Sequence, residues 1–229
     1  MNHAQAETEG GWRAGFRVGV TLALATAALG ISFGAYAALA GWPPVASIVM
    51  STVVFSGSAQ FAFVTATADG GGLLVGLGAA ALMNLRFVPM AAAAARSLRG
   101  GRVRRAFEGQ TVVDGSWVAA QRADGTTDRE KMMGATLVQA TAWIAGTAAG
   151  ALLVPSADLI YRLGLDVVFP CFFLLLLLEA LRSRPGDRWV ALLAATIAGL
   201  AVLAVPVGVA LLLSAAASLV VLIPRRRSP

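Results

Sequence analysis

Apolar residues run along this chain in stretches of 18 or more, parted by joints rich in arginine, proline or glycine and, between residues 95 and 132, by a basic run and a mixed region at 106–131. Such a stretch, wound as an α-helix, crosses about 30 Å of hydrocarbon. The first runs from Phe16 to Ala40 and stops at Gly41-Trp42-Pro43-Pro44, where the prolines end a helix and Trp42 suits a headgroup interface. The second, Val45–Ala66, is interrupted at Ser56-Gly57-Ser58 and is followed by a Gly70-Gly71-Gly72 turn and a third stretch, Leu73–Ala95. Met132–Val154 and Leu159–Leu181 are the fourth and fifth. Trp189 to Ile223 is too long for one crossing, and Pro206 near its middle divides it into Trp189–Val205 and Val207–Ile223. The pattern predicts an all-α polytopic membrane protein with six to seven hydrophobic segments, one or two of them broken or re-entrant. Residues 16–223 read as one transmembrane domain, with polar cytoplasmic tails at 1–15 and 224–229.

Composition agrees with this reading. Hydrophobic residues make up 58% of 229 and charged residues 13%, against about 45–50% and about 25% in soluble domains. The net charge of +6 comes from 17 arginines and a single lysine, Lys131. They sit at the ends of apolar runs, which fits anionic headgroups rather than nucleic acid. His3, the only histidine, lies in the polar tail, so histidine-based metal sites and histidine-dependent triads are not expected. The lone Cys171 offers no disulfide framework. Val18–Ala40 is longer than the h-region of a cleaved leader and reads as a membrane helix.

The positive-inside rule creates a conflict of parity. Arg13 and Arg17, the arginines of 96–105, Arg182/Arg184/Arg188 and Arg225–Arg227 should all be cytoplasmic. Three simple crossings before residue 96 would put that cluster outside. A re-entrant or broken second segment, with its Gly-containing polar centre, restores the parity, because irregular backbone is tolerated at membrane depth where it lines a cavity. Thr52-Val53-Val54-Phe55-Ser56-Gly57-Ser58 is echoed one residue shorter in Thr111-Val112-Val113-Asp114-Gly115-Ser116. If the echo reflects a repeat, the 111–118 piece also dips into the membrane.

Candidate chemistry is confined to polar groups in apolar surroundings. Arg86 falls near the centre of the third stretch, where arginine costs about 2.5–3.5 kcal/mol on insertion scales. It is either half of a structural ion pair or a bidentate partner for a carboxylate. Asp114 can neutralise Arg86, meet a substrate ammonium or carry a proton, or it is a solvated loop acid. Ser56, Ser58 and Gln60 offer donors and acceptors, and Gly57 permits close approach; the same residues also serve as helix–helix glue. Gly30/Gly34 and Gly146/Gly150 have the spacing of close helix packing and are assigned no chemistry. Trp143 is packing or a pocket wall. Glu179 and Arg182 read as an i,i+3 ion pair. No phosphate-binding loop precedes Lys131, so ATP hydrolysis on this chain is not expected, and no cofactor motif is visible.

Gly30-Ile31-Ser32-Phe33-Gly34, Phe55–Phe61, Asn84-Leu85-Arg86-Phe87, Asp114 after the basic cluster, Trp143 in a small-residue helix and Gly164-Leu165-Asp166-Val167-Val168-Phe169-Pro170 together resemble the AzlC family. The likeness spans about residues 15–223. It implies a large subunit of a bacterial branched-chain amino-acid exporter in the plasma membrane, working with a small AzlD-type membrane subunit. Two departures bear on coupling. Phe87 follows the Asn84-x-Arg86 triplet where the family often has an aromatic residue or histidine, so no protonation role is expected there. Gly115 stands where many members carry a second acid after the aspartate.

The expected protein is therefore a secondary transporter subunit and not an enzyme, with no cofactor and with a proton as the coupling ion. Its substrate would be held by Arg86, Asn84, Asp114, Ser56, Gly57, Ser58 and Gln60. Phe55, Phe61, Phe87, Trp143 and Asp166 would be walls or gates. A passive channel for another small solute, and a structural membrane subunit of a larger complex, are the alternatives. An intramembrane enzyme would need a nucleophile with a base, and Ser58 has no histidine to serve it.

Overall fold

The computed structural model describes residues 10–122, 124–153, 156–164 and 188–206, together with 167, 171, 174–175, 177–178, 181–182, 209–210 and 213–214. The described residues form helices joined by tight turns, with no strand beyond an isolated bridge between Gln121 and Thr127. The chain gathers into two compact units, one of Met1–Gly57 with Leu85–Asp166 and the other of Ser58–Asn84 with Val167–Pro229.

The first unit is built on α1 (Gly11–Leu39) and α8 (Arg129–Leu153), whose contact is the most extensive between any two described helices. Glycine makes it possible. A Cβ at Gly30 would lie 2.6 Å from the Trp143 carbonyl oxygen, and one at Gly146 would lie 2.5 Å from that of Ala27. Gly34 and Gly150 meet the carbonyls of Thr147 and Ile31 in the same reciprocal way. Toward the other end Gly15 abuts Lys131 and Gly134, and Gly19 abuts Ala135 and Val138. The paired numbers rise together, so the two helices run parallel. Without a hydrophobic drive between helices in lipid, backbone approach of this kind is what holds them. The glycine spacings expected to pack do so, and they pack against one another.

A single carboxylate fastens the two parallel starts. Asp128 accepts from the Lys131 N–H (3.0 Å) as the cap of α8, and its other oxygen accepts from the Gly11 N–H (3.1 Å) and from Arg122 (2.9 Å). Burial alone would push its carboxyl up; the Lys131 and Gly11 N–H groups and Arg122 outweigh this and hold it below the ordinary value. Helix α1 thus begins at Gly11, five residues ahead of the apolar run, because its first turn is anchored at Asp128.

Next to this anchor, α6 (Arg102–Gly109) is tied to α8 through Glu108. The buried carboxylate accepts from Arg129 Nε (2.9 Å) and Nη2, from Arg104 Nε (3.1 Å) and from the Arg99 N–H (2.9 Å). The Arg129 hydrogen bonds are the largest influence and exceed the opposing effect of burial, so the carboxyl falls to about 2. The basic cluster therefore sits at the end of the unit where both α1 and α8 begin. The path from Leu39 to Arg129 therefore leads from the far end of the unit back to the end at which α1 began.

Between these points the helices are short. Within the first unit lie α2 (Pro44–Val54), α5 (Phe87–Ala94), α7 (Asp114–Ala119) and α9 (Ala157–Leu163). Ala94, Val112, Ala120 and Met132 form a small core, and α9 ends on Gly164 in the left-handed conformation (φ 64°). In the second unit α3 (Gly57–Ala68, with its first residue in unit one) and α4 (Gly72–Asn84) form a hairpin closed over Ala62, Ala66 and Ala79, while α10 (Arg188–Ala201) ends five residues before Pro206.

Two described helices, α1 and α8, are long and apolar enough to cross a membrane, and α4 with α5 adds a third if the two pieces count as one span. The six to seven expected segments are met only in part. The second stretch breaks as expected, at Phe55-Ser56. The third, expected to be continuous with Arg86 near its centre, is instead broken at Leu85-Arg86. Pro89 accounts for this: it lacks an N–H and its ring would clash with the carbonyl four residues back, on Leu85. That carbonyl accepts from Val88 instead (3.1 Å). Ten positions of the fifth stretch, Glu179 and Asp166 among them, most of Val207–Ile223, and most or all of each tail lie outside the described residues.

Gly34→Leu or Gly150→Leu should destabilise the protein by about 1–3 kcal/mol or more through overpacking, measured as loss of monodisperse protein on heating in detergent. Gly199→Leu, where nothing lies within 4 Å of the new Cβ, should be close to neutral. Because the Glu108 carboxyl is lower folded than unfolded, its stabilisation is present above about pH 4.5 and lost as pH falls toward about 2. Glu108→Gln should lower the melting temperature at pH 7 and remove that part of the acid sensitivity. Pairing it with Arg129→Met should recover most of the loss, since an unmatched buried charge costs more than an absent pair.

Candidate substrate site

Helix α8 carries a polar stripe on one buried face: Thr136, Gln139, Trp143 and Thr147. Thr147 donates to the Trp143 carbonyl (2.9 Å), which leaves its oxygen to accept from Ser51 (2.9 Å), and Ser51 in turn accepts from the Trp143 indole N–H (3.1 Å). Three side chains and one carbonyl thus close a loop that pins α2 to α8. Trp143 also stacks on Phe33, with centroids 6.0 Å apart. One turn before Ser51 the Ser47 hydroxyl is buried with no hydrogen-bond partner.

This locked indole is the wall against which the second stretch breaks. A Cβ at Gly57 would lie 2.5 Å from the Trp143 ring, so only glycine fits there. Phe55, two residues earlier, has φ 27°, a left-handed conformation that costs a bulky residue about 1–3 kcal/mol and stops α2. Nearer the start of α8, Thr136 donates to the Thr111 carbonyl (2.7 Å) and touches Ser116 Oγ (2.7 Å). Gly115 faces Gln139, with 3.2 Å from a Cβ to its side-chain oxygen, and Leu22 at 3.0 Å. Gln139 and Trp143 lie ten and fourteen residues past Arg129, about 15 and 21 Å along the helix. The echoed segments therefore both begin a new helix beside the middle of α8. A side chain after Asp114 would press on the ends of Gln139 and Leu22, and both would have to shift to admit a second acid at Gly115.

Arg86, at the break between α4 and α5, forms an ion pair with Asp114 in the first turn of α7 at 2.9 Å. The side chains keep 30% and 43% of their surface, so the pair is reachable rather than sealed. The Phe87 ring lies 4.9 Å from the guanidinium carbon. The structure thus brings together Arg86, Phe87 and Asp114, and separately Gly57 and Trp143. Ser56, Ser58, Gln60 and Phe61 are buried, and Asn84 is half-buried at the end of α4. Asp166 lies outside the described residues. Phe55 lines a 770 Å³ cavity with Thr52, Thr111, Thr136 and Leu137, and neither Arg86 nor Asp114 contributes to it. Among the described residues no group of histidine, cysteine or acidic side chains could hold a metal ion.

The sequence reading passed over Ser51, Thr136, Gln139 and Thr147. The available signal was their spacing: 136, 139, 143 and 147 fall on one helical face.

These features define an α-helical membrane protein in which broken helices meet a long polar-striped helix and a charge pair stands at one of the breaks. The family model described as AzlC protein matches residues 21–156, and the chain belongs to that family. It is a transport-related membrane protein. No curated protein and no solved structure matches the chain.

Trp143→Phe keeps the ring against Gly57 but removes the donor to Ser51. A loss of about 1–3 kcal/mol is expected, read as a lower melting temperature, and Ser51→Ala should cost less in that background than in the parent, because only its hydrogen bond to Thr147 is then lost.

Proposed function

We propose that the protein is a subunit of a secondary transporter that exports branched-chain amino acids across the bacterial plasma membrane. The observation that carries this reading is the accessible Arg86–Asp114 pair at a helix break. A zwitterionic amino acid presents one carboxylate and one ammonium, so it can replace each partner in turn: its carboxylate takes Arg86 and its ammonium takes Asp114. The exchange leaves the local charge balanced, which matters where an unpaired charge is costly. Phe87 beside the guanidinium offers an apolar wall for an aliphatic side chain. Family membership supports the transport class. Movement against a gradient would be driven by a proton, and a small AzlD-type membrane subunit would complete the assembly. Both termini would be cytoplasmic, with the joint after α1 and the Gly70–Gly72 turn outside.

Arg86→Ala should abolish counterflow of labelled leucine in liposomes, by tenfold or more, while membrane abundance stays similar. The exchanged pair Arg86→Asp with Asp114→Arg should likewise keep abundance but lack transport. Transport by that double variant would make the pair structural. Adding the small subunit should raise leucine counterflow. In a Cys171→Ser background, a cysteine placed at the exposed Asp69 should react with an impermeant thiol reagent from outside; cytoplasmic labelling would remove the re-entrant second segment.

A further inference from the structure

We propose that the groove between α6, the end of α2 and the first half of α8 is a binding site for an anionic phospholipid, with an acyl chain in the groove and the headgroup on the arginines of α6. The groove has a volume of 770 Å³, and Val53, Val103, Phe107, Met133 and Leu137 give it a mainly apolar lining. Phe107 leaves 74% of its surface uncovered, a large exposure for an aromatic ring that faces a cavity.

Helix α6 has the form of an interfacial helix. Val103, Ala106, Phe107 and Gln110, spaced i, i+3, i+4 and i+7, face the groove, and at about 100° per residue Arg102 and Arg104 fall on either edge of that face. Five arginines lie between residues 96 and 105, and the nearby acid, Glu108, is held by Arg104 and Arg129. The edges of the groove therefore carry surplus positive charge. Trp12, near the start of α1, lines the same groove, and Met133, Leu137 and Ala140 show that it continues along α8 from that helix's first turns. Its mouth thus stands where both membrane-crossing helices begin and its floor runs along one of them, as a lipid lies with its headgroup at the surface and its chain inward. Positive edges around an apolar floor select an anionic lipid over a neutral one. The Arg86–Asp114 pair lies outside the lining, while Phe55, at the break in the second stretch, belongs to it.

The test uses the purified full chain in neutral detergent. Phosphatidylglycerol should raise the melting temperature by several degrees, while phosphatidylcholine with the same chains, and glycerol 3-phosphate without chains, should not. Arg102→Gln, and Ala106→Trp, which fills the groove, should each remove at least half of that rise without lowering the melting temperature in phosphatidylcholine. Should Ala106→Trp fail to fold, Ala140→Leu obstructs the deeper end for the same reading. An equal rise with phosphatidylcholine, a rise with glycerol 3-phosphate alone, or a rise that survives groove filling would overturn the proposal. A photoreactive residue at Val103 should crosslink to lipid in the native membrane; crosslinking to a protein would assign the groove to a partner instead.

Discussion

Backbone contact between two parallel helices is the constraint on which the rest of the first unit depends. Glycine on both surfaces lets the α1 and α8 backbones touch, and this leaves α8 a second face for everything else. That face carries hydroxyls, an amide and an indole, each matched to a place where another segment turns. Ser51 and Gly57 meet it at Trp143 and Thr147, and Ser116 and Gly115 meet it at Thr136 and Gln139. In lipid such groups find no water, so they fix positions that apolar packing alone would leave free. The irregular segments at Ser51–Gly57 and Gly115–Ser116 are therefore placed by α8.

Asp128 and Glu108 do the corresponding work at one end. Each is an acid among arginines and helix starts, and each joins elements far apart in sequence: Gly11 with Arg122 and Lys131, Arg99 with Arg104 and Arg129. Their charges are already committed to structure. Arg86 and Asp114 differ because their pair remains exposed in part, and an exposed pair can be exchanged for a ligand without opening the core.

The apolar runs disclosed the helical membrane class, and the cost of a charge among them pointed to Arg86 and Asp114. The glycine spacings disclosed that α1 and α8 pack closely, although nothing in a spacing names the partner; their pairing became visible only in three dimensions. The break at Leu85-Arg86 was hidden because hydropathy continues smoothly across it, while the decisive residue, Pro89, sits four positions away. Single threonines and serines are common in membrane helices, so the stripe on α8 did not stand out until the positions were laid on one face. The departure at Gly115 was legible as a missing acid, but the nearness of Gln139 and Leu22 to that position was not.

The parallel glycine pair also has a consequence for biogenesis. Residues that meet across it, such as Gly30 and Gly146, are separated by more than a hundred positions. At about 5–20 residues per second of synthesis, α1 waits for α8 for on the order of 6–25 s. During that interval its glycine groove faces lipid or the insertion machinery with its carbonyls bare to other helices. The order of the chain therefore leaves α1 to hold its place through that interval without the partner its glycines fit.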